Sequence, residues 1–469
     1  MIELTAAEVA EATGGTLQGV APGTAVTGAV VVDSRQVVPG ALFVALAGEH
    51  ADGHDFAAGA VRDGAALVLA ARPLDGVPCV VVDDVQTALG ELARAVLARL
   101  RSRAEVRVVA VTGSVGKTTT KDLLGRLLAP TVGEDAVVVP TGSFNNEVGL
   151  PLTVLRATDA TRLLVLEMGA DSPGNIADLT RIAPPDVGIV LAVGTAHLGV
   201  FGDVETIART KAEMVAGVRP GGVVVLNADD SRVAAMASGA AAGTEVVTFG
   251  TISSATVRAV QVAVDGGRAR FTLTAGGGTA EVALRLVGAH HVTNALAAAT
   301  AALRLGVPFD AVVERLSAAT ASSPHRMAVT ERSDGVTVLD DSYNANPDSM
   351  RAALRTLAVM AGRTRRSVAV LGEMRELGDV ARTEHDAIGR LAVRLNVKRL
   401  VVVGEGAYHI HEGAQQEGSW GDESVFVPDL DTAREVLAGE LTDGDVVLVK
   451  ASNGSGLWRL ADELVEAAG

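Results

Sequence analysis

From residue 106 onward the chain alternates continuous apolar runs with stretches of helical periodicity. Runs over 106–111, 162–166, 187–193 and 222–226 read as strands buried on both faces. With helices between them, they predict a parallel sheet covered on both sides. Over 256–286 the pattern changes to residue-by-residue alternation broken by Gly-Gly turns, which predicts an antiparallel hairpin insert. An Ala-rich helix is expected over 294–305, stopping at Gly306. After Ser322-Ser-Pro324 a third unit begins, with strands over 336–340, 367–371, 399–403 and 445–449. Its topology looks Rossmann-like, but it has no G-x-G-x-x-G, so no dinucleotide is expected there.

The first hundred residues mix shorter elements. A strand over 29–33 ends in Asp33-Ser34-Arg35, and Pro39-Gly40 turns into a strand over 41–46. Asp52-Gly-His-Asp-Phe56 leads into a small-residue helix. Residues 87–100 form an amphipathic helix with an Arg-rich outer face, and the polar stretch 101–105 reads as a linker. The expected architecture is α/β in three domains: 1–103, 104–322 and 323–469. The middle domain carries a P-loop parallel sheet with an antiparallel insert, and the last is Rossmann-like without a dinucleotide motif.

At 469 residues with 48% hydrophobic and 20% charged residues, each unit can build its own core. Aromatics are only 3%, so Val, Leu and Ala must fill those cores. Forty basic residues against 56 acidic ones leave a net charge of −16, which argues against nucleic-acid binding. No apolar run is long enough to span a bilayer, so no membrane insertion is expected. The single Cys79 excludes an intrachain disulfide and, with an N-terminus lacking a signal pattern, points to the cytoplasm. A monomer is expected.

The chemistry begins at Thr112-Gly-Ser-Val-Gly-Lys-Thr-Thr119, a Gly-containing turn between a strand and a helix. Such a turn aims backbone N–H groups at a phosphate, and the helix adds its positive end. Lys117 would reach the terminal phosphates, and the Thr118 hydroxyl would hold Mg²⁺. Val111 stands where the strict P-loop has its first Gly, so a plain strand–helix turn with an exposed lysine is the alternative. In an open parallel sheet, ligands gather at the carboxyl ends of strands. The second strand ends in Glu167 and the third leads to His197, so both can join Thr118 around a cation, although Mg²⁺ prefers oxygen. Taken singly, Glu167 is a solvated acid and His197 a structural histidine. Lys211 reads as an exposed helix lysine, and His290-His291 as flanking the Ala-rich helix. The loops 143–151 and 340–347 are polar enough to be either turns or ligand rims.

These residues resemble the Mur ligases of peptidoglycan synthesis, over essentially the whole chain. The loop 112–119 matches that family's ATP loop, including the missing first Gly. Glu167, His197, Lys211, Asn294 and Arg326 fall where its motifs fall. Three further segments, Gly142-Ser-Phe-Asn-Asn-Glu-Val-Gly-Leu-Pro151, Asp340-Asp-Ser-Tyr-Asn-Ala-Asn-Pro-Asp-Ser-Met350 and Leu371-Gly-Glu-Met-Arg-Glu-Leu-Gly378, resemble the branch that adds a D-alanyl dipeptide. The Asp-Asn-Pro-Arg usual in the branch that adds the third amino acid is absent.

The resemblance implies an amide ligase working through an acyl phosphate, with ATP and Mg²⁺ as cofactors. Its implied substrates are UDP-N-acetylmuramoyl-tripeptide and D-alanyl-D-alanine. It implies that Gly113, Ser114, Val115, Gly116, Lys117, Thr118 and Thr119 bind ATP, with Asn294 and Arg326 in contact and Asp340 near the ribose. Thr118, Glu167, His197 and Lys211 would serve the metal, Lys211 being carbamylated in sister families. Lys117, Glu167, His197 and Lys211 would be the catalytic set. Ser34 and Arg35 would meet the UDP part, and Asn145 and Asn146 the muramoyl peptide. Competing readings are the third-residue ligase, a folylpolyglutamate synthase and a P-loop switch that forms no amide.

Overall fold

The computed structural model describes residues 1–48, 51–140, 142–418 and 423–466. Among these residues the apolar runs after 106 assemble into a nine-stranded sheet. Across it run Val137–Val138, Leu163–Glu167, Arg107–Thr112, Val187–Val190, Val223–Asn227, Glu245–Gly250, Val257–Asp265, Arg268–Ala275 and Gly278–Val287. The first seven are mutually parallel, Arg268–Ala275 runs antiparallel to them, and Gly278–Val287 pairs antiparallel with Arg268–Ala275. The expected hairpin insert is therefore a continuation of the main sheet rather than a separate module. Register aligns Glu167 with Val111 and Val190 with Thr112, so three central strands end side by side.

The helix Lys117–Val132 follows the first central strand and packs against the Ala-rich helix His291–Arg304. Ala295, Ala297, Ala298, Ala299, Ala301 and Ala302 are all fully buried in that helix. Their small side chains let the two helices approach closely beside the phosphate loop.

The C-terminal unit is a six-stranded sheet in the order Ala328–Glu331, Thr337–Asp340, Val446–Lys450, Ser367–Leu371, Arg399–Val403, Ser424–Val427. Only its first strand runs antiparallel. The N-terminal unit has a five-stranded sheet, Thr16–Gln18, Cys79–Val81, Leu67–Ala70, Leu42–Val44, Val30–Val31, with Thr16–Gln18 antiparallel. No helix is long and apolar enough to cross a membrane among the described residues.

The stretch 101–105 departs from the expected linker. The helix Val85–Arg103 runs through most of it. Arg101 is largely buried and donates to Val106 O, Pro184 O and the Asp186 carboxylate. The same helix packs on Gly149–Val154 and Asn175–Ile182 of the central unit. One apolar core consequently contains Leu89, Leu92 and Val96 together with Leu150, Val154, Leu179 and Ile182.

Candidate active site

The three aligned strand ends open into a cleft of about 390 Å³ between the central and C-terminal units. On the central side the turn at the end of Arg107–Thr112 needs glycine at Gly116, whose φ is 85°. A Cβ there would collide with Asn294 Oδ1. Asn294 is buried one turn into the Ala-rich helix, and its amide lies 3.2 Å from His291 Nδ1. Lys117 folds back over the turn and donates to Gly113 O at 2.8 Å. Burial pulls its ammonium pKa below the ordinary lysine value, Glu167 opposes the shift, and Arg326 adds to it.

Glu167 is 1% exposed and is the focus of the site. One carboxylate oxygen accepts from Thr118 Oγ1 at 2.9 Å. The other accepts from Ser143 Oγ at 2.9 Å and Asn145 Nδ2 at 2.8 Å. A buried carboxylate is stable only with such donors. Thr118, Glu167 and Ser143 form a cluster of oxygens beside the phosphate loop, the donor chemistry that suits Mg²⁺.

The C-terminal unit supplies the opposite wall. Arg326 stacks on Tyr343, its guanidinium carbon 4.1 Å from the ring centre, and its buried Nε has no protein partner. Lys450, at the end of Val446–Lys450, donates to Asp341 Oδ2 at 2.5 Å and Asn344 O at 2.8 Å. Asp348, in the first turn of Pro347–Ala361, accepts from the N–H and hydroxyl of Thr195 across the cleft at 3.0 and 3.1 Å. His197 holds a left-handed backbone, φ 58°, and its Nδ1 faces the Glu376 carboxylate of the C-terminal unit.

Three family models cover this architecture: "Mur ligase family, catalytic domain" at residues 27–97, "Mur ligase middle domain" at 111–302 and "Mur ligase, glutamate ligase domain" at 325–453. The chain is 52% identical to the UDP-N-acetylmuramoyl-tripeptide–D-alanyl-D-alanine ligase of Mycobacterium tuberculosis, covering 99% of this chain and 98% of that one. The chain belongs to the Mur ligase family. Among solved structures, this Mur ligase resembles MurF from Acinetobacter baumannii with a TM-score of 0.87 at 31% identity, over 99% of both chains. It also resembles MurF from Thermotoga maritima in complex with ADP, with a TM-score of 0.78 at 30% identity, over 94% of this chain and 98% of that one.

The cleft of this Mur ligase gathers Ser114, Val115, Gly116, Lys117, Thr118, Thr119, Asn145, Asn146, Glu167, His197, Asn294 and Arg326. Five expected residues do not line it: Gly113, Asp340, Lys211, Ser34 and Arg35. Asp340 is buried, with its carboxylate taken up by Ser342 N, Ser342 Oγ and His325 Nδ1, and the neighbouring Asp341 faces the cleft instead. Lys211 is buried on the helix Val204–Gly217. Ser34 and Arg35 sit on the N-terminal unit, where the exposed Arg35 makes a bidentate pair with Asp33. That pair holds the Asp33 carboxyl down to about 2.

Lys211 corrects the reading of an exposed helix lysine. It is 3% exposed, on the inner face of Val204–Gly217 with Ile207, Met214 and Val215. Burial and the charge of Lys117 bring its pKa down to about 7, against the pull of Glu213. Its spacing from Ile207 and Val215 was the available signal, since positions four apart share a helix face. Asn145, in the cleft lining, also donates its amide to the Glu167 carboxylate. Asn146 accepts from Gly149 N at 2.9 Å and braces the following turn. Asp348, Glu376 and Lys450 carried no assignment from sequence. The first two lay inside quoted motifs, but only the fold shows that those loops face the phosphate loop.

Proposed function

We propose that this Mur ligase joins D-alanyl-D-alanine to UDP-N-acetylmuramoyl-tripeptide with hydrolysis of ATP to ADP and phosphate, in cytoplasmic synthesis of the peptidoglycan precursor. The reading is carried by the site in which the phosphate loop and the buried Glu167 face Arg326, Lys450 and Asp348 of the C-terminal unit. The full-length likeness to ligases of that name supports it.

A carboxylate resists attack by an amine, so the tripeptide's terminal carboxylate must first be activated. Transfer of the γ-phosphoryl group gives an acyl phosphate; the dipeptide amine attacks its carbonyl, and phosphate departs from the tetrahedral intermediate. Transfer of this kind needs positioning and charge neutralisation more than covalent help from the protein. The loop 113–119 presents backbone N–H groups and the helix end to the phosphates. Lys117 must leave Gly113 O to reach them, and its desolvation strengthens the contact it then makes. Arg326, with an uncommitted buried Nε, is placed to meet an anionic or planar group of the nucleotide. Asn294 orients the turn and contacts the nucleotide. Thr118 and Glu167 have the oxygen donors to hold Mg²⁺, which when bound neutralises charge on the transferring phosphoryl group. His197 stands at the same edge.

Lys211 has the chemistry for carbamylation, because only the free amine adds CO₂, and a pKa near 7 leaves much of it free at neutral pH. Ser34 and Arg35 are proposed to meet the UDP part on the N-terminal unit.

The test is phosphate release from ATP with UDP-muramoyl-tripeptide, with and without D-alanyl-D-alanine, and mass analysis of the product. Release that depends on both substrates, with one amide formed per phosphate, is expected. Slow ATP hydrolysis indifferent to the dipeptide would mark a nucleotide switch.

A further inference from the structure

Lys121 is a fully buried lysine, 0% exposed, that none of the steps above uses. It lies one turn beyond Lys117 on the phosphate-loop helix. Its ammonium donates to Pro140 O at 2.6 Å and Gly142 O at 3.0 Å, and it pairs with the Asp122 carboxylate at 2.8 Å. An ammonium has donors and no acceptor, and here two carbonyls and a carboxylate compensate its charge. Burying a cation is costly, and a core position of this size would be served by methionine or leucine if packing were the whole requirement.

The two carbonyls sit immediately before the segment that delivers Ser143 and Asn145 to Glu167. The same helix places Thr118 on the other oxygen of that carboxylate. Lys121 thus pins the loop to the helix, and the two together grip Glu167 from both sides. A hydroxyl has one proton and a side-chain amide two, so neither could serve both carbonyls and the Asp122 carboxylate, and neither brings the charge.

We infer that Lys121 is a positioning residue for the metal-side carboxylate: it fixes the 142–146 loop so that Ser143 and Asn145 orient Glu167 for the cation. The inference rests on the reading of Glu167 as a Mg²⁺ ligand. Groups that orient a metal ligand typically change metal affinity by about 10–100-fold when removed.

The experiment uses the full-length enzyme, with Mn²⁺ as the metal probe, titrated in the presence of ADP and followed by electron paramagnetic resonance. Lys121→Met is expected to weaken Mn²⁺ by roughly tenfold or more. It also raises KM for UDP-muramoyl-tripeptide, while ADP binding without metal stays at the wild-type level. Lys121→Arg keeps the charge but not the geometry, and is expected to weaken Mn²⁺ by less. Asn145→Ala should reproduce the loss, with little added in the double variant, because both changes act through one contact. A folded Lys121→Met or Lys121→Arg enzyme with wild-type Mn²⁺ affinity overturns the inference. Failure of both variants to fold overturns it too, by assigning Lys121 to the core alone. Unchanged Mn²⁺ affinity in Glu167→Gln overturns instead the reading of Glu167 beneath it.

Discussion

Burial of the Lys211 amine next to Lys117 gives folding a definite pH dependence. The unfolded chain keeps this proton up to the ordinary lysine value of 10.5, whereas the folded chain releases it near 7. Between those limits the unfolded state binds more protons, so stability rises with pH across the window. Below about 7 both states are protonated and the full penalty of burying the charge is present. Lys211→Met is therefore expected to be more stable than the parent at pH 6, by an amount that shrinks steadily toward pH 10. Urea unfolding in bicarbonate-free buffer measures it, and a difference that does not vary with pH would refute the assigned cause. Lys450 and Lys117 are lowered by burial as well, opposed by Asp341 and Glu167 as Lys211 is by Glu213.

The turn between Arg107–Thr112 and Lys117–Val132 shows what one missing side chain contributes at the level of an element. Gly116 combines a left-handed backbone with contact against Asn294. Gly116→Ala strains the backbone and displaces a buried amide, so it should cost at least about 1 kcal/mol of stability. It should also abolish fluorescent-ADP binding. Retained nucleotide affinity would show that the turn adapts. The strands on either side were legible because a doubly covered parallel sheet demands unbroken apolar runs, as at Leu163–Glu167 and Val187–Val190. Edge strands were not legible. Ser424–Val427 and Ala328–Glu331 are short and half-exposed, so their apolar stretches are too brief to read as strands. Glu245–Gly250 begins with two exposed residues and escaped for the same reason. Glu167 and the phosphate loop could be placed from strand ends alone. Lys211 and Asp340 could not, because a charged residue buried by tertiary packing looks from its letter like a solvated one.

At the scale of the whole molecule, two contacts clasp the loop after the third central strand. Asp348 takes the Thr195 N–H and hydroxyl, and Glu376 meets His197. Gly199 packs so closely on Gly378 that a Cβ would strike its backbone. The loop carrying Glu376 is itself held by His385, whose Nε2 accepts from Met374 N while its Nδ1 faces Ala381 O. On the proposed reaction three substrates must meet in one cleft, which requires opening and closing. The expected joint lies near 322–324, where Ser322 and Ser323 bond to the phosphate-loop helix. Asp348→Ala should enlarge the ligand-free radius of gyration in small-angle scattering and raise KM for D-alanyl-D-alanine. An unchanged radius would show that the clasp does not hold the units together.

The long helix Val85–Arg103 gives a different lesson about how this chain can be handled. It seals the flank of the middle sheet, with Gly90 drawn tight against Ile182. A fragment starting at residue 104 would bare Leu150, Val154, Leu179 and Ile182 to water and invite aggregation. The N-terminal module is thus not a detachable cassette: a chimaera that borrows it from a relative must import a matching lining for this ledge as well.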